Sequence, residues 1–310
     1  MTLRKFAMCA ALGTAGTSMI LACVPATAGQ LRERLRERMA ERMAQPPVAG
    51  LTEYAYGSDP LQKLDFWRPA NTVAPVPLVL FVHGGGWKRG DKRNATGTAK
   101  VEHMLAQGYA FASINYRLVP TATVEEQAAD VAASLAWVRS NAARLGVDPR
   151  RIVLMGHSAG AHLVSLAGTD PKYLAEAKLS FADLRGVIAL DGACYDVPRQ
   201  IAEGGNFMHD TYVQAFGSDP VRQRALSPTF HADTPNAPAF LIAHIDRTDG
   251  TAQSEALGAA LAKAGTETEV RGFAGKGLQG HAEINRSLGD VKYPATAVVD
   301  AWLAKAFARK

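Results

Sequence analysis

From residue 51 onward, apolar positions follow two alternating periods. Thr52 to Tyr56 and Gln62 to Trp67 alternate apolar with polar residues and predict two strands joined by a Gly-Ser-Asp-Pro turn. Pro77 to Val82 is a continuous apolar run, which predicts a strand buried on both faces. A helix over Thr98 to Gln107, a strand over Tyr109 to Asn115 and a long helix over Val124 to Leu145 follow. Arg151 to Met155 predicts a short buried strand, and the chain turns helical from His157. Strands are predicted again at Leu184 to Leu190, Ala239 to His244 and Glu269 to Phe273, with helices at Ala252 to Ala264 and Ala295 to Ala308. Strands alternating with helices predict an α/β fold: a mostly parallel central sheet flanked by helices on both faces. Right-handed crossovers then bring the C-terminal ends of the parallel strands to one edge, where sites form. The stretch from about 195 to 234 breaks the rhythm with mixed composition, turn residues and the aromatics Phe207, Tyr212, Phe216 and Phe230, and predicts a small cap inserted over that edge.

The first 50 residues follow other rules. Arg4 and Lys5 precede an apolar run from Phe6 to Val24, and Ala26-Thr27-Ala28 offers the small residues a signal peptidase accepts. Residues 1–28 therefore read as a signal peptide and the protein as exported, to the periplasm or beyond. Ile20-Leu21-Ala22-Cys23 also resembles a lipoprotein box, which would anchor the chain at Cys23. From 29 to 50 the chain reads as a charged helical spacer. Leu31, Leu35, Met39 and Met43 recur every fourth residue among Arg and Glu, and Pro46-Pro47 ends the pattern. The apolar stripe of residues 30–45 is the candidate for contact with a membrane surface. The catalytic domain is expected over 51–310.

A chain of 310 residues with 47% hydrophobic and 20% charged residues can bury a large core. Its net charge of +5 is concentrated at the N-terminus: Arg4 and Lys5 give +2, and residues 30–45 give another +2. The near-neutral remainder lacks the clustered basic face of a nucleic-acid binder, so no nucleic-acid partner is expected. Of three cysteines, Cys9 and Cys23 fall in the leader, which leaves Cys194 without an internal disulfide partner.

The candidate chemistry centres on Gly156-His157-Ser158-Ala159-Gly160, placed between a buried strand and a helix. A sharp strand-to-helix turn pushes a serine hydroxyl out over the sheet edge, and the glycines leave room for that turn. Ser158 is the predicted nucleophile. His83-Gly84-Gly85-Gly86-Trp87 follows the strand ending at Val82 and exposes backbone N–H groups, while lacking the Lys and Ser/Thr of a P-loop. Gly85, Gly86 and Ala159 are the expected oxyanion donors, with His83 holding the loop. Of eight histidines, His281 alone lies after the last strand and before the last helix, where it can reach back over the edge as the base. The acid is expected in the loop His244-Ile245-Asp246-Arg247-Thr248-Asp249, at Asp249, with Asp246 as the alternative. Trp87, Phe207 and Tyr212 are candidates for pocket walls or for the core of the cap.

The His-Gly-Gly-Gly-Trp loop, Asn115-Tyr116-Arg117-Leu118 with Pro120, the Gly-His-Ser-Ala-Gly-Ala-His elbow and the late Gly280-His281 resemble α/β-hydrolase esterases near the hormone-sensitive-lipase and feruloyl-esterase-like groups. The resemblance runs from about Leu51 to the C-terminus. It implies an α/β-hydrolase fold and a serine carboxylesterase acting on a small ester substrate, with no cofactor and no metal. The chain departs from these relatives at Ile245, where they usually carry Gly. It departs again in a long Gly275–Gly280 stretch and in the Gly-His-Ser form of the elbow, which leans toward the feruloyl-esterase-like and arylformamidase-like side. An arylformamidase-type amidase and a non-catalytic binding protein on the same fold are the alternatives.

Overall fold

The computed structural model describes residues 48–93, 96–203, 205–233 and 235–309, with the backbone alone given for 205–207. The expected leader and all but the end of the charged spacer lie outside the described residues.

The chain opens with two antiparallel strands, β1 (Thr52–Ala55) and β2 (Lys63–Trp67), followed by β3 (Val76–Val82), α1 (Thr98–Ala106) and β4 (Ala110–Ile114). Next come α2 (Val124–Ser140), α3 (Ala142–Leu145), β5 (Val147–His157), α4 (Ala159–Thr169), α5 (Pro171–Glu176) and β6 (Gly186–Leu190). Four helices then precede β7 (Ala239–Ile245): α6 (Val197–Glu203), α7 (Gly205–Phe216), α8 (Pro220–Ala225) and α9 (Pro228–His231). The chain closes with α10 (Thr248–Lys263), β8 (Glu267–Phe273), α11 (Gly277–Arg286) and α12 (Pro294–Ala308). The sheet has eight strands in the order β1-β2-β4-β3-β5-β6-β7-β8, parallel from β4 to β8.

Every residue of β3 is buried, as its continuous apolar run predicts. Outer strands β1 and β8 are mixed in burial and carry Glu53, Glu267, Glu269 and Arg271, charges that discourage edge-to-edge pairing. One core cluster lies under α2, α4, α10 and the insertion; the other lies on the opposite face under α1, α11 and α12. The predicted long helix is interrupted: Asn141 ends α2 and donates its side-chain amide to the Trp137 carbonyl, and α3 follows as one turn closed by Gly146 at φ 66°. At its other end α2 has a capping box, in which Thr123 and Glu126 satisfy each other's backbone N–H.

Two features seat the site. Helix α4 is buried at every residue, so it runs inside the molecule between sheet and insertion. Helix α11, a segment for which the sequence predicts no element, is pinned from below. The Lys100 side-chain nitrogen, on a residue fully buried on α1, donates to Asn285 of α11 and to the Thr96 carbonyl, and lies 4.0 Å from the Phe81 ring centroid.

Candidate active site

Strand β5 ends at His157, and Ser158 takes φ 56°, ψ −120°, a left-handed backbone that a residue bearing Cβ adopts only under constraint. The Ser158 N–H donates to the Leu190 carbonyl of β6, and the Ser158 carbonyl accepts the first α4 bond from His162. A Cβ on Gly160 would stand 2.1 Å from the Val82 carbonyl oxygen, so only glycine lets α4 start this close to β3. The turn is the strained strand-to-helix bend that the sequence predicts around Ser158. Ala159 is the first residue of α4, and its N–H has no carbonyl one turn back to bond.

The glycine loop after β3 packs against this bend. A Cβ on Gly84 would lie 2.8 Å from the Ser158 Cβ. Gly85 and Gly86 have φ of 131° and 61°, and a Cβ on Gly86 would meet the Thr211 methyl of α7 at 2.9 Å. The loop's far end is fixed because the Trp87 carbonyl accepts from the Val119 N–H (3.0 Å) and from the Gln127 side chain (2.8 Å). His83 is buried against Tyr116, ring centroids 4.5 Å apart, and burial pulls its pKa down to about 4. It is a neutral packing residue that holds the loop, and Tyr116 donates its hydroxyl to the His83 carbonyl.

His281 lies on the first turns of α11, at the same sheet edge. Its ring centroid is 4.6 Å from that of His157, the residue before Ser158, and its carbonyl accepts from His157 Nε2 at 2.8 Å. Burial first, and the adjacent His281 second, keep His157 well below the ordinary histidine range. The His281 ring is oriented by a carboxylate, but not by the expected one. Nδ1 of His281 donates to Oδ2 of Asp191 at 2.5 Å. Asp191 directly follows β6, is fully buried, and sits at φ 42°. Its other oxygen accepts from the Ile245 N–H (3.2 Å) and from Nε of Arg247 (3.3 Å). Burial opposes the Asp191 charge, but the His281 hydrogen bond and the Arg247 guanidinium outweigh it and hold the carboxyl below its usual range.

The placement of the acid is therefore a correction. Asp249 starts α10 and turns to Nη1 of Arg247 (3.0 Å) and to the Gln200 amide (3.3 Å), not to His281. Asp246, the alternative, is exposed between β7 and β8. The physical reason is Arg247, which stands in the loop between them and draws Asp249 to itself. Sequence reasoning passed over Asp191. The available signal was an Asp-Gly step at the C-terminal end of a wholly buried parallel strand, at the edge where sites form. Ile245 also has its explanation: it is buried against Gly275 and Gly280, and a Cβ on Gly280 would come within 2.9 Å of its Cδ1. The glycine-rich stretch before His281 makes room for the larger residue.

The proposed pocket walls belong to the core. Trp87 is 1% exposed and Tyr212 3% exposed. Trp87 packs edge-on to His162 and Phe216, and its indole N–H donates to Nδ1 of His162 at 3.3 Å. Nε2 of His162 then donates to the Leu226 carbonyl of the insertion (2.8 Å). The aromatic group stitches the glycine loop, α4 and the insertion together rather than facing an open cleft. The Phe207 side chain lies outside the described residues.

Comparison with known proteins agrees with this architecture. A family model, BD-FAE, matches residues 64–261. Esterase LipC of Mycobacterium tuberculosis is 34% identical over 220 residues, 65% of this chain and 54% of that protein. An isoprenylcysteine alpha-carbonyl methylesterase of Arabidopsis thaliana is 36% identical over 112 residues, 36% of this chain and 26% of its own. The chain thus spans about half the length of the first of these curated relatives and a quarter of the second. Among solved structures, esterase 2 of the planctomycete Thermogutta terrifontis with butyrate bound superposes with a TM-score of 0.68 at 23% identity, covering 86% of this chain and 98% of that one. Esterase B from Lactobacillus rhamnosis gives 0.69 at 23% identity, covering 90% and 93%. With the family model matching more than half of its length, and with an eight-stranded sheet of matching architecture, the chain belongs to the BD-FAE family on an α/β-hydrolase fold.

Proposed function

We propose that the protein is a serine carboxylic-ester hydrolase in which Ser158 is the nucleophile, His281 the base and Asp191 the acid. One observation carries the reading: the His281 ring, bonded through Nδ1 to a buried carboxylate at 2.5 Å, lies at the strained bend that presents Ser158. With the Nδ1 proton committed to Asp191, Nε2 keeps a free lone pair. It takes the Ser158 proton as Oγ attacks the ester carbonyl carbon. The carbonyl π electrons move to oxygen, and the N–H groups of Gly85, Gly86 and Ala159 stabilise that charge. Each such donor contributes roughly 3 kcal/mol in comparable sites. Collapse of the intermediate breaks the bond to the alcohol oxygen, which takes the proton from His281. Water, deprotonated by the same nitrogen, releases the acid and restores Ser158.

Short acyl groups fit best. Thr211 of α7 lies beside Gly86, where a Cβ would meet its methyl at 2.9 Å, and this closeness supports a small acyl group at the loop. The Thermogutta esterase, which shares the fold, holds butyrate.

Hydrolysis of p-nitrophenyl esters from acetyl to palmitoyl tests the reading. Acetyl to butyryl esters should be preferred, and Ser158→Ala should lower kcat about ten-thousandfold or more. Undiminished turnover by that variant would overturn the nucleophile. Turnover of N-formylkynurenine in preference to every ester would overturn the ester assignment.

A further inference from the structure

We infer that Arg247 is a positioning residue for the reaction, a cationic clamp that keeps Asp191 ionised and aimed at His281. The inference rests on the triad proposed above and extends it by one side chain.

The geometry is that of a grip on a whole turn. Nε of Arg247 donates to the Asp191 carboxylate at 3.3 Å, and Nη2 donates to the carbonyl of Gly192, the next residue, at 3.2 Å. One guanidinium thus holds both the side chain and the backbone of a turn whose first residue sits at φ 42°. Nη1 is tied to Asp249 at 3.0 Å, and Asp249 to Gln200 of α6 at 3.3 Å. A run of hydrogen bonds leads from the insertion through Asp249, Arg247 and Asp191 to His281. Gly250 makes room for it, since a Cβ there would lie 2.7 Å from Nε of Arg247.

The chemistry needs such a group. A base must be neutral to take the Ser158 proton, and beside a neutral imidazole the buried Asp191 charge has no cationic partner on the His281 side. A fully buried, uncompensated carboxylate tends to take up a proton, and a neutral carboxyl orients an imidazole less firmly. Arg247 supplies the missing charge, and its planar fork suits a carboxylate and a carbonyl together. It also shares that carboxylate with His281, so removing its charge should favour the imidazolium relative to wild type. The titratable groups around the clamp are Asp191, Asp249, His157 and His281, together with Tyr195 before α6, Tyr212 of α7 and Tyr293 before α12. The Lys100 charge acts from below, on His157. Arg247 is the cationic side chain that bonds Asp191 at the oxygen not bound to His281, beside the Ile245 N–H.

The test compares Arg247→Gln and Arg247→Lys with wild type on p-nitrophenyl butyrate, from about pH 5 to about pH 9, with thermal unfolding recorded alongside. Arg247→Gln is expected to lower kcat about tenfold with KM within about twofold. Its acid limb should move to higher pH by about one unit, the size of one charge removed at this range. Arg247→Lys keeps the charge and should keep the limb where wild type has it. The proposal is overturned if the limb stays put in Arg247→Gln, if Gln and Lys variants behave alike, or if activity falls only in proportion to folded protein. If Arg247→Gln does not fold, the Lys variant decides: a limb displaced despite the retained charge overturns the clamp. Loss of the Ser158 nucleophile assignment would show separately, as activity surviving in Ser158→Ala.

Discussion

At residue scale, the short bond between His281 and Asp191 gives the two candidate acids different fates on substitution. Asp191→Asn replaces an acceptor with an amide that can present N–H to Nδ1, favouring the wrong tautomer and leaving Nε2 protonated. A loss in kcat of about a hundredfold to ten-thousandfold is expected, with KM little changed. Asp249→Asn touches only the outer nitrogen of Arg247 and should cost less than about fivefold. Steady-state kinetics on a short-chain ester separates the two, and equal losses would count against Asp191 as the acid. Ser158 was legible because its neighbours are constrained by local geometry, and a five-residue motif records that constraint. His281 was legible by its place behind the last strand. Asp191 was not, because a carboxylate two strands before His281 in the order of the chain is defined by a contact that no local pattern encodes. Arg247 likewise looked like one charge among several in a polar loop.

At the scale of elements, α4 explains most of the site's rigidity. A helix buried on all sides, starting with Ala-Gly-Ala, can lie directly against β3 because its first turn carries almost no side chain. Gly160→Ala would force a Cβ into the Val82 carbonyl, with Gly156 also in contact below. We expect a loss of stability of about 3 kcal/mol and loss of ester turnover, read as a lower denaturation midpoint and a fall in kcat. Wild-type stability in this variant would mean that the loop and helix are not in contact. The inner strands β3, β4, β6 and β7 were legible from their apolar runs, because burial on both faces leaves a period-free signature, and β1 and β2 from their alternation. Helix α11 was not: Gly277-Leu278-Gln279-Gly280 has the composition of a loop, and it folds as a helix because Ile284 and Asn285 are held from beneath. The insertion between β6 and β7 was legible as an interruption, while its four helices were too short to declare a period.

At the scale of the molecule, three buried histidines make the fold sensitive to acid. Burial takes His83 and His162 down to about 4 and His157 well below its ordinary value. In the unfolded chain the same rings protonate near pH 6.5. Between those limits the unfolded state binds more protons, so stability is full above about pH 6.5 and falls as pH drops toward 4. With three rings the slope could reach about 4 kcal/mol per pH unit at its steepest. The unfolding midpoint in denaturant should fall markedly from about pH 7.5 to about pH 5, and a flat profile over that interval would contradict the burial described for these rings. His162 matters most to the architecture, since a proton on Nδ1 would eject the Trp87 indole from its bond and loosen insertion, helix and glycine loop together. The seat of the carboxylate has a wider consequence. Ser158 and Asp191 hang from neighbouring strands, so two of the proposed triad residues share one ladder, and the tip of the seventh strand supplies the Ile245 N–H and the Arg247 guanidinium that hold the carboxylate rather than the carboxylate itself. A search that reads the acid only from behind that seventh strand would pass over Asp191, which this chain offers instead in the aspartate–glycine step closing its sixth strand.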